Sequence, residues 1–308
     1  MQPFRLAAPG EFLECLTHPA KIIETAKGPL EYGEKGEGPV VLSVHGGPGG
    51  YDQSLGLGEA FRANGFKIIG VSRPGYLGTP LETGRSYEEQ ADALAALIDA
   101  LELGKVAVIG ASAGGPASYL LAARHPDKVA ALIEIDAVAR KYEIQVSWLE
   151  EKLYLSKAGL WLVNFFLDHF PEAMVKGFLE TESTLSGQEL TQRIKEIVKD
   201  EYKFAWLRFL ISTMSEKMDR RKAGLENDLK QLAALEPLPV RTIACPTLIF
   251  HGTADKDVVS AHAEYASGAI PNSELYWIQD GSHLGFWTAA TASAAQEYAV
   301  RWLTSQVH

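Results

Sequence analysis

Hydrophobic positions along the chain fall into short β-branched runs separated by amphipathic stretches, the pattern of a sheet interleaved with helices. Strands are predicted at 22–25, 40–44, 67–71, 106–109, 129–135, 247–251 and 274–278. The runs VAVIG and TLIFHG are almost continuously apolar, as parallel strands covered by helices on both faces require. The best-defined helix is predicted over 86–101. Ser86 can cap it, Glu89 completes a capping box, and Leu94, Leu97, Ile98 and Leu101 form one apolar face. Further helices are predicted over 116–124, 260–266 and 289–304. The fold class is therefore α/β, a mostly parallel central sheet flanked by helices.

Between about 137 and 240 the alternation breaks, and helix-forming, aromatic-rich segments follow one another without a strand pattern. The expected organisation is a core of 1–136 and 241–308 carrying a helical lid over 137–240. Trp148, Leu149, Leu153, Trp161, Leu162, Phe165 and Phe166 mark the first half of this lid. Ile194, Ile197, Phe204, Trp206, Leu207 and Leu210 mark the second. Each aromatic alone is accounted for by packing against the sheet. Collectively some must line a pocket, and Trp148, Trp161 and Phe165 are the candidates. The prolines of EPLPVRTIACP oppose helix continuation and mark the return to the sheet.

Composition narrows the function classes. With 46% hydrophobic and 22% charged residues, 308 residues suffice for a substantial core. The net charge of -10 and the lack of a basic cluster argue against nucleic acid as a partner. Two cysteines, Cys15 and Cys245, cannot make a disulfide framework, and no Cys/His cluster suggests structural zinc. The N-terminal residues lack a basic segment followed by an apolar one, so no secretory signal is expected and a cytoplasmic location is. The uncharged stretch 106–123 approaches the length of a membrane span, but Gly110, Gly114, Gly115 and Pro116 divide it into strand, turn and helix. No membrane partner follows, and the oligomeric state is not legible.

The strongest chemical signal is Gly110-Ala111-Ser112-Ala113-Gly114, a G-x-S-x-G directly after a predicted strand and before a predicted helix. A serine at such a turn is lifted above the sheet, and small neighbours let the backbone approach itself there. Its hydroxyl is a poor nucleophile unless a base takes its proton and a third group orients the base. His251-Gly252-Thr253-Ala254-Asp255 places a carboxylate after one downstream strand, and Gly281-Ser282-His283 places an imidazole after the next. Asp136, at the end of the 129–135 strand, places another carboxylate after a strand. No phosphate-cradle motif and no H-E-x-x-H is present, so neither a cofactor nor a metal is expected.

These residues, in the order Ser112, Asp255, His283, resemble the α/β-hydrolase superfamily over about 29–304. His45-Gly46-Gly47-Pro48-Gly49-Gly50 follows a strand where that superfamily has its oxyanion loop, and 72–79 (SRPGYLGT) resembles its next glycine-rich turn. The spacing of Asp255 and Val258 matches its D-x-x-V pattern, and Asp136 stands at the other site where some of its members keep their acid, the alternative to Asp255. The resemblance implies an inserted lid after the sixth core strand and a Ser112, His283 and Asp255 triad. It also implies an oxyanion hole from the N–H groups of Gly47 and Ala113, with Gly46 beside the substrate. Asp257 is read as a helix-start residue, His45 as organising its loop, His251 as structural and Arg73 as bracing the adjacent loop.

HGGPGG resembles the proline iminopeptidase branch, which implies release of an N-terminal residue. Ala113 departs from that branch, whose elbow carries tryptophan after the nucleophile. The roomier site favours a small-molecule carboxylic ester with an apolar portion, cleaved through an acyl-enzyme. An amidase or aminopeptidase, a carbon-carbon hydrolase, a lactonase, a cofactor-free haloperoxidase and a hydroxynitrile lyase are compatible with the same serine. A ligand receptor that does no chemistry is the reading from another class. Activity should rise as His283 loses its proton, near neutrality in ordinary surroundings.

Overall fold

The computed structural model describes residues 3–142 and 165–307. Its strands are Lys21–Thr25 (β1), Gly28–Lys35 (β2), Val40–Val44 (β3), Lys67–Val71 (β4), Val106–Ala111 (β5), Val129–Ile135 (β6), Thr247–Gly252 (β7) and Ser273–Ile278 (β8). They form one sheet in the order β1-β2-β4-β3-β5-β6-β7-β8. From β4 to β8 every pairing is parallel, whereas β2 runs antiparallel to both β1 and β4. All six residues of β5 and of β7 are buried, which explains their unbroken apolar character.

The periodicity did not predict β2, because GPLEYGEK mixes glycine, proline and charge. Its ladder works for reasons specific to its neighbours. Glu31 is buried but accepts hydrogen bonds from Ser72 Oγ (2.7 Å) and Gly78 N–H (2.9 Å). At Gly33 any Cβ would stand 2.8 Å from the Tyr51 ring. The predicted capping box is formed: Ser86 Oγ accepts from Glu89 N–H at 3.2 Å, and Glu89 Oε2 accepts from Ser86 N–H at 3.0 Å. Such a cap contributes about 1 kcal/mol to the helix Tyr87–Ala100.

Between β6 and β7 the described residues form the helices Pro171–Glu182, Gly187–Lys199, Glu201–Ser215 and Lys222–Ala233. Glu201–Ser215 packs on the helices Pro9–Thr17, Tyr51–Leu57 and Gly285–Thr288, so these residues share a hydrophobic core with the sheet. Trp206 stacks on Trp287 with ring centroids 4.4 Å apart and planes 7° apart. Phe209 lies so close to Gly56 that a Cβ there would meet the ring at 2.2 Å. Burial of rings of this size stabilises by roughly 1.5–3 kcal/mol each. Among the described residues, no helix is long and apolar enough to cross a membrane.

Candidate active site

Ser112 stands at the end of β5 with φ +51°, a left-handed conformation that a serine adopts only when its surroundings impose it. The surroundings do so through its neighbours. A Cβ on Gly114 would lie 2.4 Å from the carbonyl oxygen of His45 and 2.8 Å from that of Val44, so the turn seats directly on the end of β3. A single turn, Ser112–Gly114, leads into the helix Gly115–Arg124. The strand-turn-helix expected for the pentapeptide is therefore present.

His283 follows β8, and its ring joins two side chains. Nε2 is 3.0 Å from Ser112 Oγ, and Nδ1 is 2.9 Å from Asp255 Oδ2. With Nδ1–H donating to the carboxylate, Nε2 is left as the acceptor facing the hydroxyl. Asp255 is fixed in turn: its Oδ1 accepts from Asp257 N–H (2.9 Å) and Val258 N–H (3.0 Å). Asp136 occupies the other acid position without reaching this ring. It accepts from Gly252 N–H at 2.8 Å, and burial, reinforced by the nearby charge of Asp255, pushes its carboxyl well above the usual carboxylate range.

The chain 46–47 closes over the serine. A Cβ on Gly46 would stand 3.0 Å from Ser112 Cβ, and one on Gly47 3.6 Å from Ala113 Cβ. Neither Gly46 N–H nor Gly47 N–H takes part in a hydrogen bond among the described residues. His45 organises this loop, as expected: Nδ1 donates to Gly46 O (2.5 Å) and Nε2 accepts from Arg73 N–H (2.9 Å). Burial together with the Arg73 charge holds its pKa well below that of an ordinary imidazole, which keeps Nε2 an acceptor. His251 donates from Nε2 to Val258 O (2.8 Å) behind Asp255, in line with a structural role.

Two acidic residues enter the site that sequence reasoning had not placed there. Asp257 does not start a helix, since the next one is Ala261–Ala269. Its Oδ2 is instead 3.5 Å from His283 Nε2, and it accepts a hydrogen bond from Tyr142. Glu182 ends a helix, and its carbonyl oxygen receives both Lys256 N–H (3.3 Å) and His283 N–H (3.2 Å), tying the acid loop to the histidine loop. No local motif announces either role. Burial disfavours the His283 cation, but the charges of Asp255, Asp257 and Glu182 outweigh it and raise the pKa well above 6.5. The surroundings are thus not the ordinary ones for which titration near neutrality was expected.

The cavity over Ser112 is bounded by Gly46, Gly47, Gln53, Glu182, Asp257 and His283, and by an apolar wall of Leu57, Phe178, Trp206, Leu210, Met214 and Trp287. Phe165 is not among its described lining residues; its ring stacks on His169 with centroids 4.4 Å apart. Trp148 and Trp161 lie outside the described residues. Asp136, His251 and Asp255 form one group whose possible metal-ligating atoms lie within 4.8 Å of one another, and Glu182, Asp257 and His283 form another. A cation in the second group would compete for the His283 nitrogen that faces Ser112.

Residues 39–290 match the family described as the alpha/beta hydrolase fold. The chain is 30% identical over 272 residues to the Uncharacterized hydrolase YcgS of Bacillus subtilis (strain 168), covering 83% of this chain and 89% of that one. It is similar to a solved alpha/beta hydrolase fold protein from Nakamurella multipartita, with a TM-score of 0.86 and 36% identity over 92% of this chain and 99% of the other. The enol-lactonase from Burkholderia xenovorans LB400 aligns with a TM-score of 0.65 at 18% identity, over 92% of this chain and all 100% of its own. At that identity the likeness concerns the fold alone. This chain belongs to the alpha/beta hydrolase fold family.

Proposed function

We propose that the protein is a serine hydrolase that cleaves a carboxylic ester with an apolar portion through an acyl-enzyme. The observation that carries this reading is the His283 ring, 3.0 Å from Ser112 on one side and 2.9 Å from Asp255 on the other. His283 takes the Ser112 proton as Oγ attacks the ester carbonyl, and Asp255 stabilises the resulting imidazolium. The carbonyl oxygen becomes an oxyanion facing the N–H groups of Gly47 and Ala113. His283 then gives its proton to the departing alcohol. Water, deprotonated by the same ring, attacks the acyl-serine and releases the acid.

The apolar wall of Leu57, Phe178, Trp206, Leu210 and Met214 supports an apolar acyl or alcohol group, with the helices between β6 and β7 acting as the lid. One observation favours a second reading, the release of an N-terminal residue. Glu182 and Asp257 line the same cavity, no lysine or arginine stands among its described lining residues, and a protonated amine is the complementary charge. A panel of p-nitrophenyl esters of graded chain length, run beside aminoacyl anilides, decides between them. The ester reading expects the highest kcat/KM on an ester. Faster turnover of a prolyl anilide than of any ester overturns it.

A further inference from the structure

Arg73 and Asp228 form a buried pair outside the catalytic trio, with side-chain exposures of 0% and 2%. Arg73 donates to Asp228 twice, from Nη1 to Oδ1 (2.8 Å) and from Nη2 to Oδ2 (2.5 Å). Its remaining donors reach His45 O from Nε (3.0 Å), Gly46 O from Nη2 (3.2 Å) and Gln90 Oε1 from Nη1 (3.3 Å), so all five N–H groups are engaged. Tyr76 OH (2.6 Å) and Tyr87 OH (3.4 Å) complete the carboxylate's shell. Asp228 belongs to the helix Lys222–Ala233 of the insertion, whereas every one of these partners belongs to the chain before β5.

The consequence lies in the peptide plane. In a trans peptide the carbonyl of one residue and the N–H of the next point in opposite directions. The Gly46 carbonyl is held by two donors, Arg73 Nη2 and His45 Nδ1, so the orientation of the Gly47 N–H is set from the far side of the plane. Asp228 also stands against the loop itself, since a Cβ on Gly47 would lie 3.1 Å from its Oδ2. The geometry points to Asp228 as a positioning residue: acting through Arg73, it aims the Gly47 N–H at the developing oxyanion, so the hole is complete only while the helix Lys222–Ala233 is seated. This inference rests on the proposed role of Ser112.

The test compares wild type, Ser112→Ala, Asp228→Asn and the milder Tyr76→Phe, reading p-nitrophenyl ester kinetics against pH and hydrogen-deuterium exchange of the peptide covering 45–50. Removing a hole donor outright costs about a hundredfold to a thousandfold in kcat, so misaiming one in Asp228→Asn should cost about tenfold to a hundredfold. KM should stay within about twofold, as expected when an interaction made only in the transition state is lost. The rising limb of the pH profile should not move, and exchange in the loop should accelerate. Tyr76→Phe, which keeps the ring and removes one hydrogen bond to Asp228, should show the same pattern a few-fold in size and serves if Asp228→Asn does not fold. Unchanged kcat in folded variants overturns the inference, as does a loss confined to KM. If wild type shows no turnover that Ser112→Ala abolishes, the hydrolase reading falls, and the loop exchange alone then decides whether Asp228 positions Gly47.

Discussion

Asp257 Oδ2 stands 3.5 Å from His283 Nε2, the same ring nitrogen that faces Ser112 Oγ at 3.0 Å. The imidazole is therefore flanked by carboxylates at both nitrogens, with Glu182 a third acid nearby. Burial acts against the cation, yet these charges prevail and the pKa lies above the ordinary 6.5. A base must be neutral to accept a proton, so kcat/KM should rise with pH through a limb lying above 6.5. Asp257→Asn removes one of the charges holding the proton and should move that limb to lower pH. A limb at or below the ordinary imidazole value in wild type, or one unmoved in the variant, would contradict this electrostatic account.

The two candidate acids should separate on substitution. Asp255→Asn leaves His283 without the partner that fixes its tautomer and should lower kcat by about ten-thousandfold. Asp136→Asn should leave kcat within about threefold, because the one hydrogen bond its carboxylate makes among the described residues is from the Gly252 N–H, which an asparagine oxygen also accepts, and His251 Nδ1 stands farther off at 3.7 Å. Asparagine also tolerates the φ of +46° at this position. Stability gives a second readout. Burial raises the folded-state pKa of Asp136, so its contribution is full below pH 3.8 and is lost as pH rises through the folded value. The Asn variant should remove that loss and melt no lower than wild type at pH 7.

Glycine substitutions should sort by what surrounds them. Gly114→Ala drives a Cβ to 2.4 Å from the His45 carbonyl, and backbone cannot yield as a side chain can. It should cost at least about 1–3 kcal/mol in denaturant unfolding and reduce activity with it. Gly177 lies within the helix Pro171–Glu182 with nothing within 4 Å, so Gly177→Ala should stabilise by about 0.5–1 kcal/mol.

A second buried ion pair joins the segment between β6 and β7 to the helix Tyr51–Leu57. Arg221 donates to Asp52 from Nη1 (3.1 Å) and Nη2 (2.6 Å), and both side chains are almost wholly inaccessible. Asp52→Ala leaves a buried guanidinium unpaired and should destabilise by about 3–5 kcal/mol in chemical denaturation.

What could be read from the chain in advance were features whose cause is local. The Ser86 and Glu89 capping box, the six strands of the parallel part of the sheet and the turn around Ser112 each follow from residues a few positions apart. Asp255 was legible because it lies in the loop directly after a strand and is spaced from Val258 as in the D-x-x-V pattern of the family. Asp228 and Glu182 were not, since one meets Arg73 across 155 positions and the other meets His283 through a backbone carbonyl that any residue type could supply. Asp257 resembled a helix-start residue in sequence, and only the approach of the loop after β8 reveals its proximity to His283. The strand β2 hid because Glu31 is buried there, compensated by Ser72 and Gly78 from a distant turn.

The most direct test of the central claim is exposure of the protein to a fluorophosphonate, followed by intact mass and peptide mapping. One adduct per chain is expected, located on Ser112, absent in Ser112→Ala and formed far more slowly in His283→Ala. A wild-type protein that stays unlabelled, or that labels at another residue, would contradict that claim.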